Sequence, residues 1–117
     1  MKVELALLLT LTACTTTSDQ TTRFAGSVTP TIPSPLCPTT HAYLQIRDTH
    51  VLFAPDDGTW ILEGLNSPDG TITADKSRVT PNNQVYDTTF EGRQSANAIT
   101  GTYRTPRCVS SVRLTRK

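Results

Sequence analysis

Few side chains in this 117-residue chain are equipped for chemistry, and their spacing excludes more than it offers. There are three cysteines (Cys14, Cys37, Cys108), two histidines (His41, His50) and one adjacent pair of carboxylates, Asp56-Asp57. Structural zinc sites usually begin with a C-x-x-C pair, and neither Cys37 nor Cys108 sits in one. His41 and His50 each begin one of two adjacent antiparallel strands, so they fall at opposite ends of that hairpin, a poor arrangement for sharing a metal or a proton, and read as surface or rim histidines. Asp56-Asp57 is followed by Gly58, which makes it a turn rather than a general acid/base pair. The D-x-[DN]-x-[DN]-G calcium pattern, the G-x-S-x-G elbow, the H-E-x-x-H zinc helix and a glycine-rich phosphate loop are all missing. The expectation is a protein that is not an enzyme, with no catalytic residue, no metal and no cofactor.

The thiols point elsewhere. Lys2 supplies a short positive start, Val3 to Leu11 is mostly apolar, and Ala13 is the small residue that a signal peptidase accepts beside the scissile bond. The run is shorter than the roughly 20 apolar residues of a membrane-spanning helix, and Thr15, Thr16, Thr17, Ser18 and Asp19 follow at once. Glu4 is an unusual charge at its start. Leu11-Thr12-Ala13-Cys14 resembles the lipobox of bacterial lipoproteins, in which the precursor is lipidated on cysteine and cut just before it. The resemblance implies a signal peptide over residues 1–13, a diacylglycerol and palmitate anchor on Cys14, and residence in the cell envelope. Thr15, in place of an aspartate, further implies sorting to the outer membrane, facing the periplasm. The competing reading is an ordinary secretory signal cut elsewhere, with Cys14 incidental.

Lipidation of Cys14 would also account for an odd number of cysteines in an exported protein, leaving Cys37 and Cys108 to form a disulfide in an oxidising compartment.

Removing the first 13 of 117 residues leaves 104, enough for one domain. Residues 14–40 read as the lipidated cysteine followed by a tether: Thr-rich at first, then stiffened by Pro30, Pro33, Pro35 and Pro38. Residues 41–117 read as an antiparallel β-domain. Threonine, valine and isoleucine recur with a period of two, turn residues interrupt every 8 to 12 positions, and no window carries an amphipathic helical stripe. Strands are expected at 41–47, 50–55, 59–66, 71–79, 85–92, 98–104 and 107–115, with a further candidate at 23–28. The turns are Asp56-Asp57-Gly58, Ser67-Pro68-Asp69-Gly70 and Pro81-Asn82-Asn83, with softer ones at Asp48-Thr49 and Ser95-Ala96-Asn97.

Alternation predicts the inward side chains: Leu44, Ile46, Val51, Phe53, Trp60, Leu62, Ile72, Ala74, Tyr86, Thr88, Phe90, Ile99, Gly101, Tyr103, Val112 and Leu114. Leu62-Glu63-Gly64 and Phe90-Glu91-Gly92 form an internal echo, with Phe24-Ala25-Gly26 as a degenerate third copy; glycine in such a place marks a bend or bulge. A meander of seven or eight strands tends to close into a barrel, which removes its edges. The expected fold is therefore all-β, a small antiparallel meander that is closed or nearly so.

Two functions follow as expectations. In size, lipobox, meander and single bridge, the chain is similar in architecture to membrane-bound lysozyme inhibitors and barrel-shaped protease inhibitors, without their specific motifs. That resemblance implies a protein acting by protein contact, as a hydrolase inhibitor or an envelope-assembly component, through an exposed loop such as 67–70 or 93–97. The alternative is a calycin-like carrier holding a small apolar ligand against Phe53, Trp60, Phe90 and Tyr103. Between Asp48 and Glu91 lie eight acidic residues, and beyond Glu91 only bases: Arg93, Arg104, Arg107, Arg113, Arg116 and Lys117. Neighbouring strands are expected to bring these opposite charges together, and nucleic acid is not an expected partner. The expected contacts are a membrane, through the anchor, and a protein.

Overall fold

A computed structural model of the chain describes residues 20–56 and 60–117. They form eight strands: β1 (Thr21–Pro30), β2 (Thr40–Arg47), β3 (His50–Ala54), β4 (Leu62–Asn66), β5 (Thr71–Val79), β6 (Val85–Ser95), β7 (Ala98–Arg104) and β8 (Val109–Arg116). Every strand pairs antiparallel with its neighbour in sequence, and β1 also pairs with β8, so the meander closes into a barrel without free edges. The alternating pattern specifies this register, because a slip of one residue would turn each apolar set out to water.

The closing strand is the one that the sequence leaves optional. β1 runs past 23–28 at both ends, and Thr21 and Thr22, which read as tether, pair with Arg47 and Ile46. Threonine suits a strand once partners lie on both sides, and β1 has β2 on one side and β8 on the other. It also adds Phe24 and Val28 to the core. Elsewhere the shifts are small. β4 begins only at Leu62, β6 extends to Ser95, and residues 105–108 form a turn, in which the Thr105 N–H donates to the Cys108 carbonyl at 2.9 Å, before β8 begins.

The interior is filled. Phe24, Val28, Ala42, Leu44, Ile46, Val51, Phe53, Leu62, Ile72, Ala74, Phe90, Ile99, Val112 and Leu114 make one buried cluster. Phe53 and Phe90 stack at its centre with ring centroids 4.4 Å apart, and Tyr103 meets Phe53 edge-on at 5.8 Å. Both geometries suit the charge distribution of aromatic rings.

The repeated apolar-x-Gly triplets let the wall curve this tightly. Phe24, Leu62 and Phe90 point inward, and Gly26, Gly64 and Gly92 follow two positions later on β1, β4 and β6. A Cβ on Gly64 would collide with the carbonyl oxygen of Thr73 on β5, and one on Gly92 would lie 2.6 Å from the Phe90 ring.

Two hairpins use the same turn chemistry. In Ser67-Pro68-Asp69-Gly70-Thr71, the Gly70 N–H donates to the Ser67 carbonyl and Gly70 has φ of 91°. In Thr80-Pro81-Asn82-Asn83-Gln84, the Asn83 N–H donates to the Thr80 carbonyl and Asn83 has φ of 65°. Proline presets the first turn position, and glycine or asparagine accepts the left-handed one. The Asp69 carboxylate accepts the Thr71 N–H at 3.0 Å; hydrogen bonds from Thr71, with Arg93 nearby, hold its pKa below the usual value.

Cys37 and Cys108 form a disulfide, with Cα atoms 5.9 Å apart, joining the segment between β1 and β2 to the turn between β7 and β8. The barrel therefore has two unlike ends. One, here called the mouth, carries segments 31–39, 80–84 and 105–108 and residues Pro55, Asp56, Trp60 and Ile61, together with the disulfide. The other carries the short turns 48–49, 67–70 and 96–97, and there the chain arrives at Gln20 and ends at Lys117.

Candidate functional site

The mouth is shaped by unequal strand lengths. β4 pairs with β5 only as far as Glu63 opposite Asp75, and β6 pairs with β7 only from Thr89 opposite Arg104. β5 and β6 continue together, pairing Lys76 with Thr88, Ser77 with Asp87, Arg78 with Tyr86 and Val79 with Val85. A two-stranded ribbon thus stands above the barrel wall. The inward parity of Ile72 and Ala74 carries on through Lys76 and Arg78, so positions that would be core lower down become cationic.

Between the ribbon and the 105–108 turn lies an open cleft of about 600 Å³, whose lining includes Leu36, Trp60, Tyr86, Thr88, Tyr103 and Pro106. Arg78 and Arg107 bring positive charge to it, and Asp56 brings the one negative charge among its lining residues. Trp60 packs half-buried on the core. The Lys76 ammonium and Arg78 guanidinium lie 5.2 and 5.1 Å from its ring centroid, within cation–π range. Tyr103 forms part of the floor, and its partial burial, with a smaller contribution from the negative charge of Asp56, pushes its hydroxyl pKa up to about 12. Among the described residues, neither Arg78 nor Arg107 has an ion-pair partner.

Several large apolar side chains are exposed at this end. Ile32 is 77% exposed, Leu36 66%, Val79 63% and Val85 61%, with Ile61 and Val109 also open to solvent. Monomeric proteins seldom leave so many large apolar side chains together at one end without a partner. A smaller hollow at the opposite end is lined mainly by polar residues, among them Gln20, Asp48, Asn66 and Gln94.

Of the four residues expected to line a ligand cavity, Trp60 and Tyr103 do border the cleft. Phe53 and Phe90 do not; both are fully buried in the stacked core beneath. Tyr86, expected to face inward, is 38% exposed because it sits on the ribbon beyond the barrel body. Loops 67–70 and 93–97 lie at the end opposite the mouth, with 93–95 paired in β6. His41 is at the mouth end of β2 and His50 at the far end of β3, its Nε2 3.6 Å from the Glu63 carboxylate on an exposed surface. Cys14 and the Asp57-Gly58 half of the carboxylate turn lie outside the described residues. Sequence reasoning missed Leu36, Arg78 and Arg107. The available signal was Lys76 and Arg78 at inward parity, because a charge on the core face of a strand means that the core has ended there.

Among the described residues there is no cluster of three potential metal ligands, and no helix long and apolar enough to cross a membrane. No protein family model, curated protein or solved structure matches the chain.

Proposed function

We propose that this chain is a lipid-anchored protein of the bacterial envelope whose barrel works by protein contact, and that its mouth is the contacting surface. The observation that carries this reading is the composition of that end: exposed Ile32, Leu36, Val79 and Val85 at the same end of the barrel as Trp60, Tyr86, Tyr103, Arg78 and Arg107. Tryptophan, tyrosine and arginine are the residue types that dominate interface energetics. A hydrolase or an assembly component of the envelope is the class of partner that fits.

The direction of the chain supports the same reading. Gln20 enters the barrel at the end opposite the mouth, so an anchor on Cys14 would leave the mouth facing away from the membrane that holds it. The filled interior weighs against an apolar ligand carried within the barrel.

The test is site-specific photocrosslinking of the full chain in cells, with the crosslinker placed at Leu36, at Val79 or, for control, at outward-facing Thr73 on the barrel wall. A discrete protein adduct from Leu36 and Val79, absent from Thr73, with the Leu36 adduct lost in a Val79→Asp/Val85→Asp variant that still folds, is the expected result. Equal labelling from all three positions, or none from the mouth, rejects the reading. Intact mass of the mature protein checks the anchor separately, as acyl groups on Cys14.

A further inference from the structure

The cleft itself has a chemistry distinct from that of the exposed apolar side chains. Its volume of about 600 Å³ falls within the ~300–1,000 Å³ typical of small-molecule sites. Its apolar surface comes mainly from Leu36, Trp60, Tyr86, Tyr103 and Pro106, all but Leu36 and Pro106 flat rings. Arg78 and Arg107 are both among the lining residues, and among the described residues neither has a carboxylate partner. Both arginines are solvent-exposed, and an incoming anion would gain charge-assisted hydrogen bonds from them. Arg78 also lies over Trp60, which holds its planar fork in place and lowers the entropy lost on binding.

We propose that the mouth cleft is a binding site for a small planar anion: a ring system that carries a carboxylate, sulfonate or phosphate group. The ring packs among Trp60, Tyr86 and Tyr103, and the anionic group is taken by Arg78 and Arg107. Lys76, near Trp60 but not part of the lining, adds to the positive potential. The site does not depend on the partner reading, since a ligand this small leaves the exposed apolar side chains uncovered.

Trp60 is the single tryptophan of the chain, so its emission reports on the cleft. The full chain is titrated with anilinonaphthalene sulfonate and, in parallel, with phenylnaphthylamine, which has the same rings without the charge. The expected result is saturable one-to-one binding of the sulfonate with energy transfer from Trp60, and binding of the neutral dye weaker by about tenfold or more, the scale of one charge-assisted contact. Arg78→Gln and Arg107→Gln should each weaken the sulfonate by about tenfold and leave the neutral dye unchanged, while Arg78→Lys recovers part of the loss. Denaturant unfolding of each variant confirms that these exposed changes leave the barrel folded. Equal affinity for the two dyes, sulfonate binding indifferent to both glutamine variants, or no saturable energy transfer overturns the proposal. Loss of dye binding with the crosslinked partner retained removes the anion site alone, and the reverse outcome removes the partner reading alone.

Discussion

Tyr103 touches both the core and the cleft, its ring edge-on to Phe53 and its hydroxyl under the influence of Asp56. Burial disfavours the phenolate, and the folded-state value of about 12 stands above the ~10 of an unfolded tyrosine. The folded protein therefore holds this proton more tightly than the unfolded chain does. The associated stability is complete below pH ~10 and is lost as pH rises from there through the folded-state value. Alkaline titration followed by tyrosinate absorbance should show a late-ionising component that disappears in Tyr103→Phe. A variant curve that keeps the late component means that Tyr103 is not held at the base of the cleft. At this scale the sequence is informative about residue type and parity but not about depth. Alternation assigns Phe53, Phe90, Trp60 and Tyr103 to the same inward face; only the stacking of the first two beneath the others separates core from cleft lining.

On the strands, the apolar-x-Gly triplets are legible as an internal echo, while their purpose depends on neighbours far away in sequence. Gly64 is required because the backbone of β5 occupies the place of its side chain, an encounter set by the barrel's curvature and not by anything local to β4. Gly64→Ala must push β4 from β5 or flatten the bend, and by analogy with overpacked cores it should cost about 2 kcal/mol. Denaturant unfolding checks this against Thr73→Ala on the outer face, which should change stability by far less. If the two variants unfold alike, the close approach at Gly64 is not what bends the wall. The turns, by contrast, could be placed from sequence. Ser67-Pro68-Asp69-Gly70 and Thr80-Pro81-Asn82-Asn83 each encode their dihedrals in a few adjacent residues, and both turn where expected. β1 was less legible because its stability comes from β2 and β8 on either side more than from its own short alternation.

For the whole molecule, the disulfide and the β1–β8 pairing achieve the same closure by different means. The bridge spans a sequence separation of 71, and on the chain-entropy account a loop of that length is stabilised by about 4 kcal/mol. This is a large share of the ~5–15 kcal/mol typical of a small domain. A Cys37→Ser/Cys108→Ser variant should lose stability on that scale while keeping its strand content, because the β1–β8 ladder from Phe24 to Pro30 remains. Complete unfolding at neutral pH and room temperature in the variant would mean that the ladder cannot close the barrel alone. The bridge also fixes segment 31–39 against the 105–108 turn, which gives the cleft a wall beside Leu36 and Arg107. By itself the sequence determined the all-β class, the turns that lie within the described residues and most of the buried face, since a period of two and turn chemistry are local properties written in consecutive residues. Only the tertiary structure decided that the tether-like start of the domain is the closing strand, that the interior is full, and that the cationic and aromatic residues meet at one end. Each of those depends on strand pairing, on unequal strand lengths and on the packing of rings brought together by closure, and these are relations between residues that are remote in the chain.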